Sequence, residues 1–133
     1  MKATELMIGD WVIFEDEPLK VQHVYNNGFD DVVAEITEDS LNEYGVCEEI
    51  RDVRSINCSP IPLTNEILEK NGWNHSNRLM ITRIDDNDFY WSEELGGILY
   101  KNQYNMCNCK YVHNLQHALR LCGLDELADN FKI

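Results

Sequence analysis

The apolar positions of this chain change period partway along it, and each stretch of regular spacing predicts an element. Trp11-Val12-Ile13-Phe14 is a run of β-formers directly after Gly9-Asp10. Leu19, Val21 and His23 then recur at every second position, and so do Val32, Ala34 and Ile36 beyond Asn27-Gly28. Asn-Gly is the dipeptide a type I′ turn favours, because both central residues of that turn take positive φ. A two-residue turn there pairs Asn26 with Phe29. It sets Leu19 against Ile36, Val21 against Ala34 and His23 against Val32 on one face. Lys20 then opposes Glu35 and Val24 opposes Asp31 on the other, which gives one apolar face and one mostly polar one. On this register His23 lies inward, as a core histidine. A further strand is expected over residues 46–53, and Thr4 is placed to cap a short helical turn that Gly9 breaks.

After Pro60-Ile61-Pro62 the spacing becomes mixed. Thr64 is an N-cap candidate for a helix carrying Ile67 and Leu68, with Gly72 placed to end it. Leu79–Ile84, then Phe89-Tyr90-Trp91, then Ile98-Leu99-Tyr100 read as strands. The acidic stretch Asp85-Asp86-Asn87-Asp88 and the pair Gly96-Gly97 separate them, predicting a three-stranded antiparallel meander. Val112, Leu115, Leu119 and Cys122 form one stripe at helical spacing, so a helix is expected over residues 111–122. His113, Gln116, His117 and Arg120 fall towards its polar side. Gly123 suits the C′ position, where Leu124 packs back on Leu119, and a short helix over residues 126–131 follows Asp125. The fold class expected is α+β. A small curved antiparallel β unit, with an SH3-like barrel as one topology, precedes a helix, a meander and C-terminal helices. All of this fits one domain over residues 1–133, with sub-structures 1–59 and 60–133.

Charge sharpens that division. Residues 1–59 carry fourteen acidic against four basic side chains, and residues 60–133 carry ten against seven, for a net charge of −13. Such a first half repels a phosphate backbone, so direct nucleic-acid binding and docking on an anionic membrane are disfavoured. The apolar share of 44% is that of a globular protein, so acidity does not imply disorder here. No basic-then-apolar leader and no apolar run of membrane-spanning length is seen in the sequence. Five cysteines form no regular disulfide framework and suit a reducing compartment, so a soluble cytoplasmic protein is expected.

Candidate chemistry is thin. Cys107, Cys109, His113 and His117 are sound zinc-ligand types, with the two histidines one helical turn apart. Zinc pairs, however, usually carry two to four residues between the cysteines and a dozen before the histidines. The plainer account is two packed thiols and two histidines on a polar helix face. A calcium loop starting at Asp85 lacks glycine at its sixth position, which is Tyr90, so a solvated turn is expected there. No Gly-x-Ser-x-Gly and no phosphate-cradling glycine loop is present, and no cofactor is implied.

Two binding readings remain. Trp73, Tyr90 and Trp91 are side chains of the kind that anchor interfaces, although strand aromatics more often fill a core. Residues 30–52 hold nine acids against Arg51 alone. Asp30, Asp31, Glu35, Glu38, Asp39, Glu43, Glu48 and Glu49 lead that run, either as a solubilising surface or as a docking face for a basic protein partner.

Three segments together, Ile8-Gly9-Asp10-Trp11-Val12, Pro60-Ile61-Pro62-Leu63-Thr64 with its helix to Gly72-Trp73, and Tyr111-Val112-His113-Asn114-Leu115-Gln116, resemble a family of small uncharacterised proteins of gut anaerobic bacteria and their phages. The likeness runs from residue 6 to about 123. It implies a bacterial or phage cytosolic protein from mobile DNA, and it brings no catalytic role. The function expected is a non-enzymatic interaction or accessory module with an acidic face. The alternative is a zinc-binding or hydrolytic protein using Cys107, Cys109, His113 and His117.

Overall fold

The computed structural model describes residues 1–2, 5–26, 31–35 and 51–133, with backbone alone for residues 26, 31–35, 51 and 52. The chain is α+β and divides into two compact units, Met1–Ile61 and Pro62–Ile133. The division falls within Pro60-Ile61-Pro62, where each proline biases the residue before it towards extended backbone.

In the first unit, β1 (Trp11–Phe14) pairs antiparallel with β2 (Glu17–Lys20) and with β6 (Ser59–Pro60). A second sheet joins β3 (His23–Asn26), β4 (Asp31–Glu35) and β5 (Arg51–Arg54), also antiparallel. The β1–β2 hairpin turns on Glu15-Asp16, at φ 50° and 64°. Both take the left-handed conformation that a type I′ turn requires. Leu6, Val12, Leu19, Val21, Val53 and Cys58 form the buried cluster, with Met1, Phe14 and Val24 packed on it.

The register of the second hairpin differs from the expected one by two residues. His23 pairs with Ala34, Val24 with Val33, Tyr25 with Val32 and Asn26 with Asp31 rather than with Phe29. Leu19 and Lys20 do not extend this hairpin, because they pair with Val12 and Trp11. Val21 instead exchanges backbone hydrogen bonds with the segment before β1. Gly9 N–H donates to its carbonyl at 2.7 Å, and its own N–H donates to Asp10 O at 2.8 Å. That break shifts the alternation, so Val24 packs on the core and His23 is exposed rather than inward. The Asn27-Gly28 turn, the Thr4 cap and residues 46–50 of the further strand lie outside the described residues; the strand's remaining part is within β5.

The second unit begins with α1 (Asn65–Lys70), capped as its sequence predicts: Thr64 Oγ1 accepts the Ile67 N–H at 3.3 Å. Gly72, at φ 84°, closes it as a Schellman end, with Gly72 N–H on Glu69 O and Trp73 N–H on Leu68 O, both at 3.1 Å. The meander is larger than expected. Five strands run in sequential order, β7 (Asn74–Ser76), β8 (Leu79–Ile84), β9 (Asn87–Ser92), β10 (Ile98–Lys101) and β11 (Tyr104–Asn108). Asp85-Asp86, at φ 49° and 63°, turns β8 into β9 with no calcium loop. Then α2 (Val112–Leu121) and α3 (Asp125–Asp129) complete the chain. Gly123 N–H on Arg120 O and Leu124 N–H on Leu119 O form the expected end of α2.

The polar side of α2 is not solvated as expected. Gln116 is fully buried and His113 nearly so. The cause is α3, which folds back so that Gln116 Nε2 donates to Ala128 O at 2.9 Å. An amide can enter a core when its hydrogen bonds come with it.

Candidate binding groove and sulfur pair

The groove is assembled entirely within the second unit. Lys70 ends α1 and Asn71-Gly72-Trp73 leads from it into β7. Ile84 ends β8, Leu119 comes from α2 and Leu127 from α3, and Asn130-Phe131-Lys132 runs as the C-terminal tail. Together they line a cavity of about 400 Å³, within the range of pockets that hold a small ligand or an anchoring side chain. Trp73 and Phe131 are buried in its wall, whereas Leu127 stays 46% exposed. Asn71 fixes the tail. Its Nδ2 donates to Lys132 O at 2.7 Å and to Ile67 O at 2.8 Å, and its Oδ1 accepts the Lys132 N–H at 2.8 Å. One side-chain amide thus pins the tail by both backbone groups of Lys132, and the position of Phe131 follows.

A second hollow, about 470 Å³, is polar, and Asn65, His75, Asn77, Arg78, Glu93 and Glu94 line it. Its ion pair, Arg78 Nε to Glu94 Oε2 at 3.6 Å, is well exposed, and such pairs are worth little.

The four candidate zinc ligands are brought together only two by two. Cys107 Sγ and Cys109 Sγ lie 3.5 Å apart. His113 meets His117 edge-on at 5.6 Å between ring centroids, stacks on Tyr111 at 5.9 Å, and its Nε2 lies 3.4 Å from Asn114 Nδ2. Among the described residues, no three His, Cys, Asp or Glu side chains gather to hold a metal ion. Cys109 is wholly buried, and burial, reinforced by the neighbouring Cys107, pushes its thiol well above the ordinary range.

The aromatic candidates separate. Trp91 is core, its indole N–H donating to Cys109 O at 2.9 Å. Trp73 is buried but borders the groove, and Tyr90 is half-buried on β9. Of the acidic run, Asp30, Glu38, Asp39, Glu43, Glu48 and Glu49 lie outside the described residues. Asp31 and Glu35 are placed by backbone alone, at the two ends of β4. Sequence reasoning missed Asn71, Leu127 and Phe131. The available signal was the Gly72 helix end, which places Asn71 at a C-cap.

Compared with known proteins, the chain matches no family model, no curated protein and no solved structure. Among the described residues, no helix is long and apolar enough to cross a membrane.

Proposed function

We propose that this protein is a non-enzymatic interaction module whose groove, between α1, α3 and the C-terminal tail, seats an apolar side chain of a protein partner. The observation that carries this reading is the exposed Leu127 set beside buried Trp73 and Phe131 in a cavity of about 400 Å³. Apolar area left in water there is removed by an inserted side chain, worth about 25 cal/mol for each Å² covered. Aromatic walls around such a pocket are the usual setting of interface hot spots.

The acidic surface has a separate role in this reading. A net charge of −13 speeds and orients encounter with a basic protein and turns away nucleic acid and anionic membranes. The partner is therefore a basic protein segment carrying one large apolar residue. The setting is the cytoplasm of a bacterium or phage-infected cell, in keeping with the resemblance to proteins of mobile DNA. An SH3-like arrangement of the first unit belongs to the same proposal.

Selection from a random peptide library on the immobilised protein tests it. Enriched peptides are expected to share one large apolar residue flanked by Lys or Arg. Their affinity should fall about tenfold or more in Leu127→Asp, a loss of roughly 1.4 kcal/mol or more. The melting temperature of that variant should stay near that of the parent. Absence of enrichment, or peptides that bind Leu127→Asp as well as the parent, would overturn it.

A further inference from the structure

We propose that Cys107 and Cys109 form a thiol–disulfide exchange site whose substrate is a low-molecular-weight disulfide. The two sulfurs are 3.5 Å apart, already in contact, and a disulfide bond of about 2.05 Å needs them to close by roughly 1.5 Å. Their surroundings divide the two roles. Cys107 is partly exposed on β11, where a small disulfide can reach it, and Cys109 is sealed from solvent.

The backbone around the pair is unequal as well. Cys109 is held at both groups, its N–H on Gly97 O at 2.7 Å and its carbonyl under the Trp91 indole N–H at 2.9 Å. Cys107 pairs with Leu99 beside an irregularity in the ladder, since Leu99 faces Cys107 but Tyr100 faces Asn105. Met106 is thus an extra residue in a bulge, where the ladder is locally disrupted and the strand bends. In the proposed exchange Cys107 is the member that moves and Cys109 the one that stays in place.

The reaction takes two exchanges. Cys107 loses its proton, and its thiolate attacks one sulfur of R–S–S–R. The bond between the two R sulfurs breaks, a Cys107–S–S–R bond forms, and the departing thiolate takes up a proton as R–SH. Cys109 then gives up its proton and attacks the Cys107 sulfur. The Cys107–Cys109 bond forms as the second R–S⁻ leaves and is protonated. The protein dithiol loses two electrons, the small disulfide gains them, and two R–SH are released. Burial that holds the Cys109 thiol weakly acidic slows this second exchange at neutral pH, and the exchange speeds up as pH rises. Once the bond has formed, the same burial makes Cys109 a poor leaving group, so the protein disulfide resists reopening. The site shares no residue with the groove and does not rest on the docking reading.

Glutathione disulfide is the probe, added to the whole folded protein, with released thiol counted and the products mapped by peptide mass spectrometry. The wild-type protein is expected to release two equivalents of glutathione and to carry a Cys107–Cys109 link. Cys109→Ala, confirmed as folded by its melting curve, should release one equivalent and retain glutathione on Cys107. Cys107→Ser should release none from this site. A persistent glutathione adduct on wild-type Cys107, a link involving any other cysteine, or no reaction at Cys107 would overturn the proposal, and the wild-type result alone decides this if Cys109→Ala does not fold.

Discussion

At the scale of single residues, Asp10 shows how an acid can be a structural part. It is fully buried; its Oδ2 accepts the Met7 N–H at 2.8 Å and its own N–H donates to Met7 O at 3.1 Å. Removing the carboxylate takes the partner from the part-buried Met7 N–H and leaves a gap where a fully buried side chain sat, which together cost about 1–3 kcal/mol. Asp10→Ala should therefore lose about 2 kcal/mol in urea denaturation, and Asp10→Asn, which keeps an acceptor, should lose less. Glu15 carries the opposite lesson. It holds φ 50°, a conformation that Asn or Gly adopts at lower cost. Glu15→Asn should raise stability by about 0.5–1 kcal/mol in the same assay. Cys109 supplies a pH dependence. Its folded thiol titrates above its unfolded value, so the unfolded state releases its proton first as pH rises. Stability from this group is whole below about pH 8.5 and then falls by up to ~1.4 kcal/mol per pH unit. The difference in urea midpoint between wild type and Cys109→Ala should shrink between pH 8 and pH 10.

At the scale of elements, what could be read in the sequence depended on whether the signal was local. The ends of α1 and α2 were legible because Thr64, Gly72 and Gly123 act through bonds within a few residues of themselves. Thr64→Ala should accordingly cost about 1 kcal/mol of stability, checked by thermal melting. The central strands of the meander were legible from their apolar content. The edge strand β7, Asn74-His75-Ser76, was not, since three exposed polar residues carry no strand pattern of their own. The register of one hairpin was misread, because Asn27-Gly28 taken as a two-residue turn sets Asn26 against Phe29, whereas the ladder sets it against Asp31. The burial of Gln116 could not be read from α2 alone, because α3 supplies its partner from twelve residues away. The groove was invisible for the same reason, since its lining comes from five separate stretches of chain.

At the scale of the whole molecule, charge is the dominant property. A net −13 over 133 residues makes the folded state pay in self-repulsion, most of all in weak buffer. Added salt screens that repulsion, with a screening length of about 30 Å at 0.01 M and about 8 Å at 0.15 M. The melting temperature should therefore rise on going from 0.01 M to 0.15 M sodium chloride, and a flat response would show that the acids are already compensated.

The sequential order of the five-stranded meander bears on how quickly the second unit finds its structure. Every strand pairs only with its neighbour in the chain, and β8 and β9 meet through the two-residue turn at Asp85-Asp86. Contacts so close in sequence lose little chain entropy on closing, which favours rapid nucleation. The C-terminal tail is different, because Asn71 holds Lys132 across a separation of 61 residues. In stopped-flow kinetics, Asp86→Gly should change the refolding rate, whereas Asn71→Ala should chiefly speed unfolding. On this topology the hairpin is expected to form early and the tail to be tied down last.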